Sequence, residues 1–146
     1  MTETSAADSQ VQEFGSVLIV DDNPDIVELL ERTVKAHTRF QTLCAHSGSE
    51  ALELVCKHRI DVIILDMLMP GMTGIEFFRT IRNRSMYVPV IFLTGRGDEA
   101  LKQEALTLGA FDFLEKPTRA RDLLILIEAA FQTVCKIRKI LTRASA

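Results

Sequence analysis

The sequence predicts one α/β domain in which helices cover both faces of a five-stranded parallel sheet. Five short apolar runs alternate along the chain with segments of helical periodicity. Most of these runs are continuously apolar, which is typical of strands that are buried on both faces. A strand followed by a helix, repeated five times, favours a doubly wound, three-layer sandwich.

The first two strands and their helices are marked by clear cap residues. The first strand, SVLIVDD, leads into Asn23 and Pro24, which suit the cap and the first turn of a helix. We expect four apolar residues of that helix to share its buried face, namely Ile26, Leu29, Leu30 and Val34. The second strand is FQTLCA, and Ser47–Glu50 behind it has the pattern of a capping box.

The remaining three strands follow the same scheme. The third, IDVIILD, ends at Asp66, and its loop MLMPGM leads to a second capping box at Thr73–Glu76. The fourth, VPVIFLT, ends at Thr94 and precedes a weaker helix, EALKQEALTL. The fifth, FDFLEK, stops before Pro117, and the last helix is expected from about Arg119 to Thr142.

Length and composition restrict the function classes. With 146 residues and a net charge of -3, the chain has the size of one domain and no positive excess for binding nucleic acid. We predict a disordered tail over 1–15, the domain over 16–134 and an extension of the last helix over 135–146. No apolar run is long enough to cross a membrane. Three widely spaced cysteines indicate reduced thiols, and therefore a cytoplasmic location.

Polar residues stand where four of the strands end. Asp21 and Asp22 end the first strand, Asp66 the third, Thr94 the fourth and Lys116 the fifth. Sites in open parallel sheets lie outside the carboxyl ends of the strands, so these side chains should meet in one crevice.

The chemistry of such a crevice points to a cation and a phosphoryl group. Converging carboxylates repel one another, and Mg²⁺ with several retained waters relieves that repulsion best. An Asp beside the cation can attack phosphorus, which would give an aspartyl phosphate. Lys116 can neutralise one phosphoryl oxygen, and the Thr94 hydroxyl can donate a hydrogen bond to another.

Four segments, VLIVDDNP, DMLMPGMTG, LTG and EKP, occur in this order and resemble the receiver domain of two-component response regulators, chemotaxis regulators among them. The resemblance covers about Ser16 to Val134. It implies a flavodoxin-like sheet with strand order 2-1-3-4-5. It also implies that Asp66 is phosphorylated by a sensor histidine kinase or a histidine phosphotransfer protein.

The resemblance also implies the metal ligands. Asp22, Asp66 and the backbone carbonyl of Leu68 would hold Mg²⁺, and Asp21 would hold the waters of the metal. Leu68 is apolar where several relatives carry a polar group that assists the hydrolytic water, and Arg96 borders the same water. We therefore expect slow to moderate autodephosphorylation.

The implied switch residues are Thr94, Lys116 and Phe113. Thr94 and Lys116 would detect the phosphoryl group, and Phe113, three positions before the lysine, would turn inward when Thr94 moves. The Lys116–Pro117 bond would be cis. The domain would thus be a phosphorylation-activated switch that changes its surface between strand four and the last helix. It would not be an enzyme, beyond its own phosphorylation and dephosphorylation.

Two other classes of protein compete with this interpretation. A haloacid-dehalogenase-like phosphatase also uses a strand-end Asp and Mg²⁺, but it needs a second Asp where Leu68 stands. A flavodoxin-like cofactor binder needs a phosphate-binding loop after strand one, where DDNPDI would repel phosphate. A receiver that has lost phosphorylation and acts as a scaffold is a third alternative, against which the complete site argues.

The last helix has an apolar seam at alternating spacings of four and three, consisting of Leu123, Ile127, Ala130, Val134, Ile137 and Leu141. Covering the sheet requires a shorter helix, so its end, KIRKILTR, should project beyond the sheet. Three alternatives remain open for this end: a frayed basic tail, a homodimer seam, or a connector to an output domain of a larger transcription factor or signalling enzyme. No DNA-reading module fits within this chain.

Overall fold

The computed structural model describes residues 14–145, so residues 1–13 of the predicted tail lie outside the described residues. The strands are β1 (Ser16–Val20), β2 (Gln41–Ala45), β3 (Val62–Asp66), β4 (Val90–Thr94) and β5 (Asp112–Glu115). The helices are α1 (Pro24–His37), α2 (Gly48–Lys57), α3 (Gly74–Asn83), α4 (Glu99–Thr107) and α5 (Ala120–Ser145).

All strand pairs are parallel, and their order is β2-β1-β3-β4-β5, as the resemblance implied. The three central strands β1, β3 and β4 are buried along their whole length. Strand β4 pairs with β3 up to Leu93 opposite Asp66, and with β5 up to Thr94 opposite Glu115. The carboxyl ends of these strands therefore lie at one edge of the sheet.

Two apolar clusters, one on each face, hold the three layers together. Helices α2, α3 and α4 pack on one face, where Phe78 and Phe92 meet edge to face with ring centroids 5.4 Å apart. Helices α1 and α5 pack on the other face. Three helices begin with the cap bonds that their sequences predict, because Asn23, Ser47 and Thr73 accept backbone N–H bonds from the first turns of α1, α2 and α3.

The predicted inner face of α1 is partly wrong. Val27, Leu30 and Val34 are buried, whereas Ile26 is half-buried and Leu29 is 61% exposed. Each residue turns about 100° round a helix, so Leu29 lies a quarter-turn or more away from a stripe through Leu30 and Val34. Leu29 therefore leaves an apolar side chain on the surface.

Helix α5 has 26 residues, three beyond the predicted end at Thr142. The near half of its apolar seam, Leu123, Ile127 and Ala130, is buried against the sheet. Farther along, Val134 is half-buried, while Ile137 and Leu141 are 51% and 61% exposed. At about 1.5 Å per residue the helix is about 39 Å long, roughly twice a five-residue strand. Its far end thus extends past the sheet.

A buried carboxylate fixes α5 to the amino-terminal edge of the sheet. Asp61, just before β3, is 5% exposed and accepts a hydrogen bond of 2.8 Å from the backbone N–H of Ser16 at the start of β1. The other oxygen of Asp61 forms an ion pair with Arg138 of α5. One side chain thereby joins two central strands to the last helix.

No helix within 14–145 combines the length and the apolar character that a membrane span requires.

Candidate functional site

The structure brings the predicted acidic residues together at the carboxyl edge of the sheet. Asp21 and Asp22 directly follow β1, and Asp66 is the last residue of β3. One carboxylate oxygen from each of the three lies within 4.8 Å of the others. Asp21 and Asp66 are buried and Asp22 is exposed, so the cluster is open to solvent on one side.

Lys116 provides the positive charge opposite the carboxylates. Its Nζ lies 2.9 Å from Asp21 Oδ2 and 3.0 Å from Asp66 Oδ1. The Lys116–Pro117 peptide is cis, as the resemblance implied. Apart from this ion pair with Lys116, the buried Oδ2 of Asp21 has no hydrogen-bond partner among the described atoms. An acceptor atom in that state fits a site that takes a cation or a water held by one.

Burial and charge act on the pKa values of this cluster in opposite directions. Burial, with the charges of Asp21 and Asp22, raises the pKa of Asp66 to about 6, although Lys116 works to lower it. For Lys116, partial burial works to lower the pKa, but the contacts with Asp21 and Asp66 outweigh it and the pKa is raised. The lysine is therefore held in its charged form, while the Asp66 carboxylate keeps its proton to a higher pH than an ordinary aspartate does.

Thr94 lies on β4, the strand that pairs with the strand of Asp66, and Phe113 lies on β5, the next strand out. Thr94 is fully buried at the end of β4, and its hydroxyl donates a long hydrogen bond of 3.4 Å to the carbonyl of Leu114. Phe113 is half-buried on β5 and stacks on Phe92 with centroids 6.0 Å apart and an interplanar angle of 22°. Both residues therefore face the β4–β5 side of the site.

Two buried methionines pack the loop after Asp66. Met67 and Met69 are 1% and 5% exposed, whereas Leu68 between them is 55% exposed. A Cβ atom at Gly74 would overlap the backbone carbonyl oxygen of Asp66. The start of α3 thus approaches the end of β3 so closely that only glycine fits there. The capping-box pattern at Thr73–Glu76 does not indicate this role of Gly74, and the position of the glycine eight residues after Asp66 is the only sign of it in the sequence.

The three histidines, His37, His46 and His58, are exposed and do not belong to the acidic cluster. The three cysteines are free. The Cys44 thiol is an unreactive group, because burial, with a hydrogen bond to Glu31, raises its pKa to about 12.

Comparison with known proteins settles the family. The model of the response regulator receiver domain matches residues 17–128, which is most of the chain. This chain belongs to the response regulator receiver family. The regulatory protein VanR of Enterococcus faecium is 37% identical over 113 residues, which are 77% of this chain and 48% of VanR. The chain thus spans about half the length of that relative.

Solved structures agree with this receiver assignment. A response regulator receiver domain protein from Clostridium thermocellum is 32% identical, with a TM-score of 0.79 over 88% of this chain and 99% of that one. A chain described as adenylate cyclase from Rhodopirellula baltica is 30% identical, with a TM-score of 0.83 over 90% of this chain and 98% of that one. The predicted fold class is confirmed, and the receiver acts in phosphorylation-dependent signalling. Its cluster of aspartates matches the acidic pocket at which receiver domains bind Mg²⁺.

Proposed function

We propose that this receiver accepts a phosphoryl group on Asp66 from a phosphohistidine of a sensor histidine kinase or a histidine phosphotransfer protein. The observation that carries the proposal is the position of Asp66. It ends the central strand β3, with Lys116 Nζ at 3.0 Å and the oxygens of Asp21 and Asp22 beside it. This arrangement fits an acceptor oxygen held among opposite charges better than a structural ion pair, because the carboxylates outnumber the lysine.

The residues present suit Mg²⁺. Asp22, Asp66 and the backbone carbonyl of Leu68 would hold the ion, with Asp21 holding its waters, and these are the oxygen donors that a hard cation prefers. The buried Oδ2 of Asp21, which has no hydrogen-bond partner beyond its ion pair with Lys116 among the described atoms, supports this assignment. When bound, Mg²⁺ offsets the charge of the carboxylates and of the phosphoryl oxygens.

The transfer itself needs only a nucleophile and charge neutralisation by the chain. An ionised oxygen of Asp66 attacks phosphorus, the bond from phosphorus to the donor nitrogen breaks, and the donor imidazole leaves and takes up a proton. The Nζ of Lys116 already lies 3.0 Å from Asp66, and its positive charge pairs with one phosphoryl oxygen. The Thr94 hydroxyl, weakly held at 3.4 Å by Leu114, is free to donate to another.

The output is a population switch. Contacts of Thr94 and Lys116 with the phosphoryl group exist only in the active arrangement, and Phe113 turns further inward as Thr94 leaves Leu114. Driving such an equilibrium from nearly all inactive to nearly all active takes about 5 kcal/mol of differential interaction. Two charge-assisted hydrogen bonds of about 1.5–3 kcal/mol each approach that value. The chain would act in the cytoplasm as a phosphoacceptor and not as an enzyme.

The downstream partner is proposed to be a protein or a fused output domain. The exposed residues Ile137 and Leu141 give α5 an unpartnered apolar end, which suits a homodimer seam or a connector. VanR is described as a regulatory protein and is about twice as long as the matched region. This supports the alternative that the receiver serves a larger transcription factor or signalling enzyme.

Labelling with a small-molecule phosphodonor in Mg²⁺ tests the proposal. The wild-type protein should gain the mass of one phosphoryl group in a form that hydroxylamine removes, and Asp66→Asn should gain none. Asp112→Asn, which removes an exposed carboxylate from β5, serves as the matched control and should label normally. Label that persists on Asp66→Asn would show that another residue is the acceptor.

A further inference from the structure

The residue at the N-cap position of α4, Asp98, does not cap the helix with its side chain but closes the loop between β4 and α4. Asp98 directly precedes α4 and is only 7% exposed. Its carboxylate makes no hydrogen bond to the first turn of α4. Instead, Asp98 Oδ2 accepts a short hydrogen bond of 2.7 Å from the backbone N–H of Gly95.

The other cap residues with a described side chain behave differently. Asn23, Ser47 and Thr73 each accept a bond from the first turn of their own helix. The loop Thr94–Asp98 thus holds itself closed, and α4 begins without the side-chain acceptor that stabilises α1, α2 and α3.

The closed loop borders the phosphorylation site. Gly95 follows Thr94, and β4 is paired with β3 at Leu93 opposite Asp66. The Gly95 N–H therefore lies at the same edge of the sheet as the acidic cluster. Backbone N–H groups at such loops bind anions well, and in this structure the anion bound by Gly95 is the carboxylate of Asp98.

We propose that Asp98 is a positioning residue that holds Thr94 and Gly95 in their resting place and gives up Gly95 when Asp66 is phosphorylated. The negatively charged phosphoryl group competes for the Gly95 N–H and draws Thr94 towards it. The released carboxylate then accepts a backbone N–H from the first turn of α4. This second step rests on the function proposed for Asp66, whereas the resting latch does not.

The hydrogen bond that Asp98 loses and the one that it gains are of similar strength, so a small free-energy difference can move the loop between its two arrangements. One charge-assisted hydrogen bond from an amide to Asp98 is lost and one of the same kind is gained at the helix start, where an Asp cap is favourable. Gly97 has a φ of 87°, so the loop already uses a conformation that glycine adopts without strain. The Thr94 hydroxyl adds little resistance at 3.4 Å from its acceptor.

Amide hydrogen exchange of the full chain tests the resting latch. In wild type the Gly95 N–H should exchange slowly, and in Asp98→Ala at least about tenfold faster, which corresponds to about 1.4 kcal/mol. Glu99→Gln removes the adjacent, exposed carboxylate and should leave Gly95 unchanged. Asp98→Asn keeps a neutral acceptor of the same shape and should give an intermediate rate. Equal exchange in wild type and in both Asp98 variants would overturn the latch.

Backbone NMR with beryllium fluoride, a phosphoryl mimic, tests the release. In wild type the Gly95 amide should shift on adding the mimic, and the first-turn amides of α4 should become more protected. In Asp98→Ala the mimic should shift Thr94 at least about tenfold more readily, by titration, but the α4 amides should gain no protection. A wild-type Gly95 amide that stays unchanged while Thr94 shifts would overturn the release. If no site residue responds to the mimic and Asp66→Asn behaves as wild type, the function proposed for Asp66 is contradicted. The hydrogen-exchange result for the bond between Asp98 and Gly95 is then judged separately.

Discussion

Lys116 holds Asp66 and Asp21 with one ammonium group, at 3.0 Å and 2.9 Å. These two ion pairs have two consequences for the receiver. They neutralise part of the negative charge of the cluster, and they tie the end of β5 to the ends of β1 and β3. Changing Lys116 should therefore separate the binding of a cation from the conformational response.

We expect Lys116→Ala to bind Mg²⁺ at least as well as wild type, because a competing positive charge is removed. The conformational response to a phosphoryl mimic should be lost, since no cation links β5 to the new group. Mg²⁺ titration and NMR shifts of β5 and α5 measure the two properties separately. Lys57→Ala, which removes an exposed lysine at the end of α2, is the control. A full response in Lys116→Ala would contradict the role given to the lysine.

Asp66 should destabilise the metal-free receiver at neutral pH. Because its pKa is raised to about 6, the folded protein binds the proton more tightly than the unfolded chain does. The tighter proton binding by Asp66 therefore adds to the free energy of unfolding in full below about pH 4. This contribution is lost as the pH rises through about 6. Asp66→Asn should raise the free energy of unfolding at neutral pH by about 1–3 kcal/mol, at about 1.4 kcal/mol per unit of pKa.

Urea unfolding in a chelator at neutral pH and near pH 4 measures this effect of Asp66→Asn. The gain should shrink at the lower pH, and Asp112→Asn, at an exposed position, should show no comparable gain. An equal gain at both pH values would mean that packing, and not charge, is responsible.

Leu29 should contribute to recognition of the phosphohistidine donor. Its side chain is 61% exposed and, with Ile26, Pro117 and Leu123, lines a cavity of about 440 Å³ that also reaches Lys116. A donor that brings its histidine to Asp66 must cover surface next to Lys116, and apolar contacts there favour docking. Leu29→Ser should slow transfer from a donor protein about tenfold, for a loss of about 1.4 kcal/mol.

The small-molecule phosphodonor provides the internal control for Leu29→Ser, because it needs no docking surface and its labelling rate should not change. Leu106→Ser, at an exposed leucine on α4, should leave both rates unchanged. Equal slowing with both donors would place the effect in the site itself.

Gly74→Ala should destabilise the fold and displace the end of β3. The new methyl group would overlap the carbonyl of Asp66, so either α3 or the end of β3 must shift. Overpacking of this kind costs about 1–3 kcal/mol. Denaturant unfolding should show the loss, and phosphodonor labelling should slow even under conditions where the variant remains folded. Gly95→Ala, where a Cβ meets only Asp98 Oδ2 at 3.7 Å, should cost less.

Residues with a strong local preference were predicted well from the sequence. The buried strands and the caps at Asn23, Ser47 and Thr73 depend on neighbouring residues, so their patterns are visible without the fold. The convergence of Asp21, Asp22, Asp66 and Lys116 was predictable because the carboxyl ends of parallel strands meet at one edge of the sheet, while the functional roles given to these residues stay predictions. The prediction for Leu29 was wrong because hydrophobicity alone does not distinguish an apolar residue beside a buried helix face from one on it.

Contacts between distant segments had no such pattern. Even the local hydrogen bond from the Gly95 N–H to Asp98 was not predictable, because GRGD also describes an ordinary turn and does not indicate where the carboxylate binds. The pair of Asp61 with Arg138 joins positions 77 residues apart. It became visible only when β3 and α5 were packed together.

That pair gives the far end of α5 a defined direction. Because Arg138 forms an ion pair with Asp61, the last turns of α5 extend past the sheet as a helix with a fixed direction. A domain joined to the end of α5 would inherit its angular position from this anchor. Each residue inserted beyond the anchor would rotate the attached part by about 100° and advance it by about 1.5 Å, so output should vary periodically with insertion length.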